Sequence, residues 1–210
     1  MLVQGAREHL PDSPQQVIMR RSPSSHLPVN EKKTFPSHPF WDYSLQLYGR
    51  PGVEAACLTL QDEFDLDVNI VLFCLWAGAA GPGRLTTEEI SECITRGGRW
   101  QREVVQRLRH IRRTLKHDAL GATPTLVEVF RPRAQSLELA AEHAQQLLLA
   151  SIVPESRGVA DSSVAVDNLR AYFNYTGLAA DGNVQEAVLI ILNKAFADMD
   201  PIDIEALWTA

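Results

Sequence analysis

The stretch Asp67-Val68-Asn69-Ile70-Val71-Leu72-Phe73-Cys74-Leu75-Trp76-Ala77-Gly78 is apolar on every side after Asn69. A helix of that composition has no face to give to water, so it belongs at the centre of a core. It is too short for a bilayer, which takes about 20 apolar residues to cross, and no membrane span is expected. Asp67 can cap the first turn by accepting from its orphan N–H groups, and Gly78 can end the helix in the left-handed conformation. The remaining chain should therefore be organised around a buried helix at about 67–77.

The segments that can wrap this helix are themselves helical in pattern. Phe40 to Tyr48 places Trp41, Leu45 and Tyr48 at helical spacing, with Gly49 as a stop. Pro51 can open a second helix whose inner face is Val53, Ala56, Cys57 and Leu60. Thr86 and Glu89 have capping-box spacing, and the helix they open is expected to end at Gly97-Gly98. A basic helix spans 99–116. After Pro132, the run 134–152 offers the stripe Leu137, Ala141, Ala144 and Leu148. Two further helices carry Ala165, Leu169, Tyr172 and Phe173, then Ala187, Val188, Ile191, Leu192 and Ala195. A last one, capped by Asp200 with Pro201, carries Leu207 and Trp208. Only 125–129 hints at a strand, too short to make a sheet alone. The expected class is all-α, a single multi-helix bundle-like or orthogonal domain over 38–210.

Residues 1–37 are rich in Pro, Ser, Gln and scattered charge without apolar periodicity, and are expected to be a disordered extension. Arg20-Arg21 is followed by polar residues rather than the apolar stretch of an export signal. Cys57, Cys74 and Cys93 are widely spaced and odd in number, which suggests neither a disulfide framework nor a zinc knuckle. A cytoplasmic location fits that usage.

The basic helix is the most informative surface. With about 100° per residue, Trp100, Val104, Leu108, Ile111 and Leu115 share one face, and Arg99, Arg102, Arg109, Arg113 and Lys116 lie nearly opposite. Like charges three and four apart repel by a few tenths of a kcal/mol per pair, so the stripe wants an anionic neighbour. That neighbour can be internal, since the net charge is -6 and Glu88, Glu89, Glu92, Glu138, Glu142 and the acidic link 62–67 are available. It can equally be an external acidic protein or small anionic ligand, because arginine suits planar bidentate partners. Nucleic acid fits less well: the only aromatic residue of the segment, Trp100, lies on the apolar face, away from the charges.

Motifs of catalysis are missing. There is no G-x-S-x-G elbow, phosphate-cradling glycine loop, G-x-G-x-x-G or H-E-x-x-H, and no cofactor is implied. His110 and His117 share the polar side of the basic helix without further ligands, and His143, next to Glu142 in sequence, must point away from it. Asp198, Asp200 and Asp203 lack the glycine and terminal glutamate of a calcium loop. No metal site is expected.

Phe40-Trp41-Asp42-Tyr43-Ser44 with Tyr48 and Pro51-Gly52-Val53, Leu60-Gln61-Asp62, Asp67-Val68-Asn69 leading to Leu75-Trp76, Trp100 with Val104-Val105, and Leu108-Arg109 with Arg112-Arg113 and Leu115-Lys116 together resemble a family of small proteobacterial proteins known only as a domain of unknown function. The resemblance spans 39–152 and, more loosely, the C-terminal part. It implies a cytoplasmic all-helical protein and no activity. The functional expectation is a non-enzymatic interaction or regulatory protein whose basic helix meets an acidic partner or anionic ligand. The alternative is a ligand-binding helical protein or enzyme with a pocket between the first helix, through Trp41, Asp42 and Tyr48, and the basic helix.

Overall fold

The computed structural model describes residues 35–153, 161–179 and 182–210, all within the unit Phe35–Ala210. Most of the expected disordered tail, 1–34, lies outside the described residues. Eight helices are described and no strand: α1 Pro39–Tyr48, α2 Val53–Phe64, α3 Val68–Ala79, α4 over 87–117, α5 Pro124–Ala150, α6 Ser162–Thr176, α7 Gly182–Ala195 and α8 Pro201–Thr209. The class is all-α, as the pattern implies.

Helix α3 is the centre, and every residue from Asn69 to Gly78 is buried. Asp67 caps it, its carboxylate accepting from the Asn69 amide at 3.0 Å. Gly78 does not end the helix, which runs on to Ala79. Its role is steric: a Cβ there would collide with the Ala165 backbone of α6, so the glycine lets the two helices cross in close contact. Buried Asn168 of α6 ties that crossing together, donating to the Cys74 carbonyl at 3.3 Å and the Gly83 carbonyl at 3.0 Å. At the other end the Asp67 amide donates to the Tyr172 hydroxyl at 3.1 Å.

Against the opposite side of α3 lies α1. Its N-cap is His38, whose ring nitrogen accepts from the Phe40 amide at 3.1 Å. Phe40 is fully buried, stacked on Trp76 at 5.2 Å and edge-on to Phe73 at 5.3 Å. Helix α2 buries Val53, Ala56, Cys57 and Leu60 and packs on α7, which buries Val184, Ala187, Val188, Ile191 and Leu192. Trp208 of α8 closes the far end, edge-on to Phe173 at 5.4 Å.

Helices α4 and α5 form the hairpin that builds the site, and both differ from their sequence pattern. The capping box of α4 is present, with the Glu89 amide donating to Thr86 Oγ1 at 3.2 Å and the Thr86 amide to Glu89 Oε2 at 2.9 Å. Gly97-Gly98, expected to end the helix, keep right-handed helical angles. The chain runs on to His117 through two π-helical turns, Cys93–Gly97 and Gln101–Val105. A Cβ at Gly97 would come within 2.7 Å of Leu149 Cδ2, so glycine here admits α5 rather than breaking α4. Helix α5 starts at Pro124, takes in the 125–129 stretch whose pattern hints at a strand, and passes through Pro132. A first-turn proline loses no bond, and Pro132 forfeits one. Its inner face is Ala134, Glu138, Ala141, Gln145 and Leu149; Leu137, expected inside, is 58% exposed.

Candidate functional site

Each π turn holds one residue more than an α turn, so residues beyond Val105 are rotated relative to those before the turns. Gln101 and Val105 are buried, and four and seven residues further along, Arg109 and Arg112 continue inward, with side chains 12% and 29% exposed. The face expected to be apolar is only partly covered, and Ile111 is 40% exposed. Two of the basic residues thus point into the molecule, where α5 presents carboxylates.

The resulting cleft has a volume of about 580 Å³ and lies between α1, α2, α3, α4 and α5. Trp41 and Tyr48 form one wall, Arg109, Arg112 and Arg113 another, Glu138 and Glu142 a third, and Val68, Asn69 and Leu72 come from α3 beneath. Trp41 stacks on His143 with ring centroids 4.1 Å apart and planes 10° from parallel. Phe35, just ahead of α1, lies 5.1 Å from the same imidazole.

The charges in the cleft are largely neutralised by one another. Arg109 donates to Glu138 at 3.0 Å and to Glu142 at 2.7 Å. Arg112 meets both oxygens of Glu138, through Nε and through Nη2 at 3.1 Å. Arg113 reaches back to Asp62 on α2 at 2.7 Å. Burial pushes the Glu138 carboxyl up, but the Arg112 and Arg109 bonds outweigh it and hold it below its ordinary value. Glu142, with one arginine contact, is held above its ordinary value by burial. Burial also raises the Tyr48 hydroxyl to about 12.

Beneath the charged wall runs a buried chain of amides. Gln145 Nε2 donates to Asp67 Oδ2 at 2.6 Å, Asn69 Nδ2 to Gln145 Oε1 at 2.7 Å, and Gln146 Nε2 to Asn69 Oδ1 at 2.8 Å. The chain ends at Gln146, which lines the cleft and whose Oε1 has no partner; nor has Oε1 of Gln101, another lining residue.

Of the residues singled out from sequence, Trp41, Tyr48, Arg109 and Arg113 come together at this cleft, whereas Asp42, Arg99, Arg102 and Lys116 are exposed and do not line it. Arg112, Asn69, Gln101 and Gln146 were not anticipated. Their signal is visible afterwards: Asn69 is the polar residue inside an otherwise apolar run, and Gln145-Gln146 interrupt an Ala- and Leu-rich helix. His110 and His117 are exposed, and among the described residues no group of three or more His, Cys, Asp or Glu is placed to hold a metal ion. No helix among them is long and apolar enough to cross a membrane.

Residues 39–149 match the protein family of unknown function DUF2390. The chain belongs to this family. The DUF2390 segment runs from the start of α1 almost to the end of α5, so every residue lining the cleft falls within it, while α6, α7 and α8 lie beyond. No curated protein and no solved structure matches the chain.

Proposed function

We propose that this DUF2390 protein binds a small ligand in the cleft between α1 and the α4–α5 hairpin. The observation that carries this reading is the convergence of Trp41, Tyr48 and the inward arginines on one concave site with unpaired buried amide oxygens at its lining. Its volume of about 580 Å³ falls in the range of small-molecule sites, about 300–1,000 Å³. The test is to purify the native protein and a Leu139→Trp variant, whose indole would fill the mouth of the cleft, and to identify small molecules released on denaturation. A compound held by the wild type and lost in the variant supports the reading. The same set of compounds released from both refutes it.

A second reading keeps the basic helix as a docking surface for an acidic partner. It is supported by Arg99, Arg102 and Lys116, which are exposed and make no ion pair among the described residues. Salt-sensitive capture of one defined protein, abolished by Arg99→Glu with Arg102→Glu, would favour it over the cleft. The three unpaired thiols support a reducing compartment, the cytoplasm, for either reading.

A further inference from the structure

We propose that the cleft selects a ligand with a flat apolar body and an N–H or O–H donor, the donor being received by the Gln146 side-chain oxygen. This rests on the cleft being a ligand site and adds the chemistry of what enters it. An amide side chain can ordinarily turn over to present either its oxygen or its nitrogen. Gln146 cannot do so without cost, because its orientation is set from the far end of the chain. An ionised Asp67 only accepts, so Gln145 must turn Nε2 toward it, and Gln145 Nε2 is also 3.2 Å from the Gly97 carbonyl. Gln145 Oε1 then requires the nitrogen of Asn69, and Asn69 Oδ1 requires the nitrogen of Gln146. What remains without a partner on this lining residue is a buried oxygen.

Gln145, Gln146 and Asn69 are 0%, 3% and 8% exposed, so water competes little for their bonds. A buried acceptor without a donor is costly, and the ligand that supplies the donor recovers that cost. Gln101 Oε1, also unpaired and 6% exposed at the residue, is a second acceptor in the same lining. The arginine groups that would have favoured an anion already face Glu138, Glu142 and Asp62. Trp41, with one indole face on His143, and Leu72 and Leu139 supply the apolar surface for a ring.

The test is a matched pair of probes, 5-fluoroindole and 5-fluorobenzofuran, alike in shape but differing in N–H against ring oxygen, titrated by fluorine NMR at pH 8. The wild type, Leu139→Trp, Gln146→Leu and Asp67→Asn are compared, each first shown to unfold cooperatively. The wild type is expected to prefer the indole by about tenfold, Leu139→Trp to bind neither ring, and Gln146→Leu to lose the preference. In Asp67→Asn the cap keeps Oδ1 on the Asn69 amide, so the new amide nitrogen faces Gln145 and favours its Oε1, against the Gly97 carbonyl, which still favours Nε2. Turning Gln145 over would reverse each bond in turn and leave Gln146 with Nε2 unpaired. The preference should then vanish or invert, an effect that mere loosening of the fold would not produce. Equal binding of the two rings by the wild type, or an indole preference that survives in Gln146→Leu, overturns the donor selection but leaves the cleft as a ligand site. Binding of neither ring by the wild type overturns both.

Discussion

Asp67 is a fully buried carboxylic acid whose ionisation is opposed by its surroundings, and Asp67→Asn turns that opposition into a measurable pH dependence. Burial raises its carboxyl from 3.8 to about 6, against the lowering effect of bonds from Gln145, Asn69 and Ile70. Between those two values the folded protein holds a proton that the unfolded chain has released. Stability contributed by the protonated acid is therefore complete below about pH 4 and is lost as pH rises through about 6. A gap of about 2 between the two pKa values is worth about 3 kcal/mol. Some of the unfolded-state titration lies below pH 4, so roughly 2 kcal/mol of it falls between pH 4 and pH 7. Asparagine keeps the N-cap acceptor and does not titrate. Urea unfolding of both proteins at pH 4, 5, 6 and 7 gives the difference, wild type minus variant, in which the contributions of other carboxylates cancel. That difference should fall by about 2 kcal/mol across the series. A flat difference would show that the three bonds offset burial, and a rising one that they outweigh it. Either result would refute the reasoning.

Trp76→Ala removes a buried ring stacked on Phe40 and should destabilise by about 3 kcal/mol or more in the same assay. Gly78→Ala forces a methyl group into the Ala165 backbone and should cost about 1–3 kcal/mol through overpacking, visible as a lowered Tm. Glu138→Ala leaves Arg109 and Arg112 facing each other without their shared carboxylate. A loss of about 3 kcal/mol is expected for breaking such a buried group, compared with under about 1 kcal/mol for Asp62→Ala at the exposed Arg113 pair. Burial lifts the Cys57 and Cys93 thiols to about 12 and raises Cys74 as well. All three should therefore react with a disulfide reagent only as the protein unfolds, a rate that stopped-flow absorbance measures.

The architecture is legible in the sequence wherever apolar period and cap agree. The all-round apolar run sits at the centre, and Asp67, Thr86 and Asp200 cap their helices. The inner faces of α2, α6 and α7 bury the residues their spacing selects. The failures are at glycine and at polar residues. Gly78 and Gly97 are small because another helix lies against them, a reason that is invisible until the neighbour is known. In α5 the larger apolar side chains pointed to a stripe through Leu137 and Leu148, but the buried face carries Glu138 and Gln145. Hydrophobicity counts against such a face, and only the partners on α3 and α4 explain it.

The cleft and the core are thus not separate constructions. Asp67 caps the central helix and orients Gln145, Gln145 orients Asn69, and Asn69 orients Gln146, which lines the cleft. A core built for stability alone would hold apolar residues here, since replacing buried polar groups by well-packed apolar ones is often neutral or stabilising. The charged pairs above this chain follow the same logic, because Arg109 and Arg112 are drawn inward at the expense of Ile111, which is left to solvent. Two π turns in α4, one of them containing Gln101, accompany this arrangement, and such turns recur at functional sites. Local cost concentrated in one wall of one cleft supports the proposed binding site, and the whole of that wall lies inside the segment that matches the family.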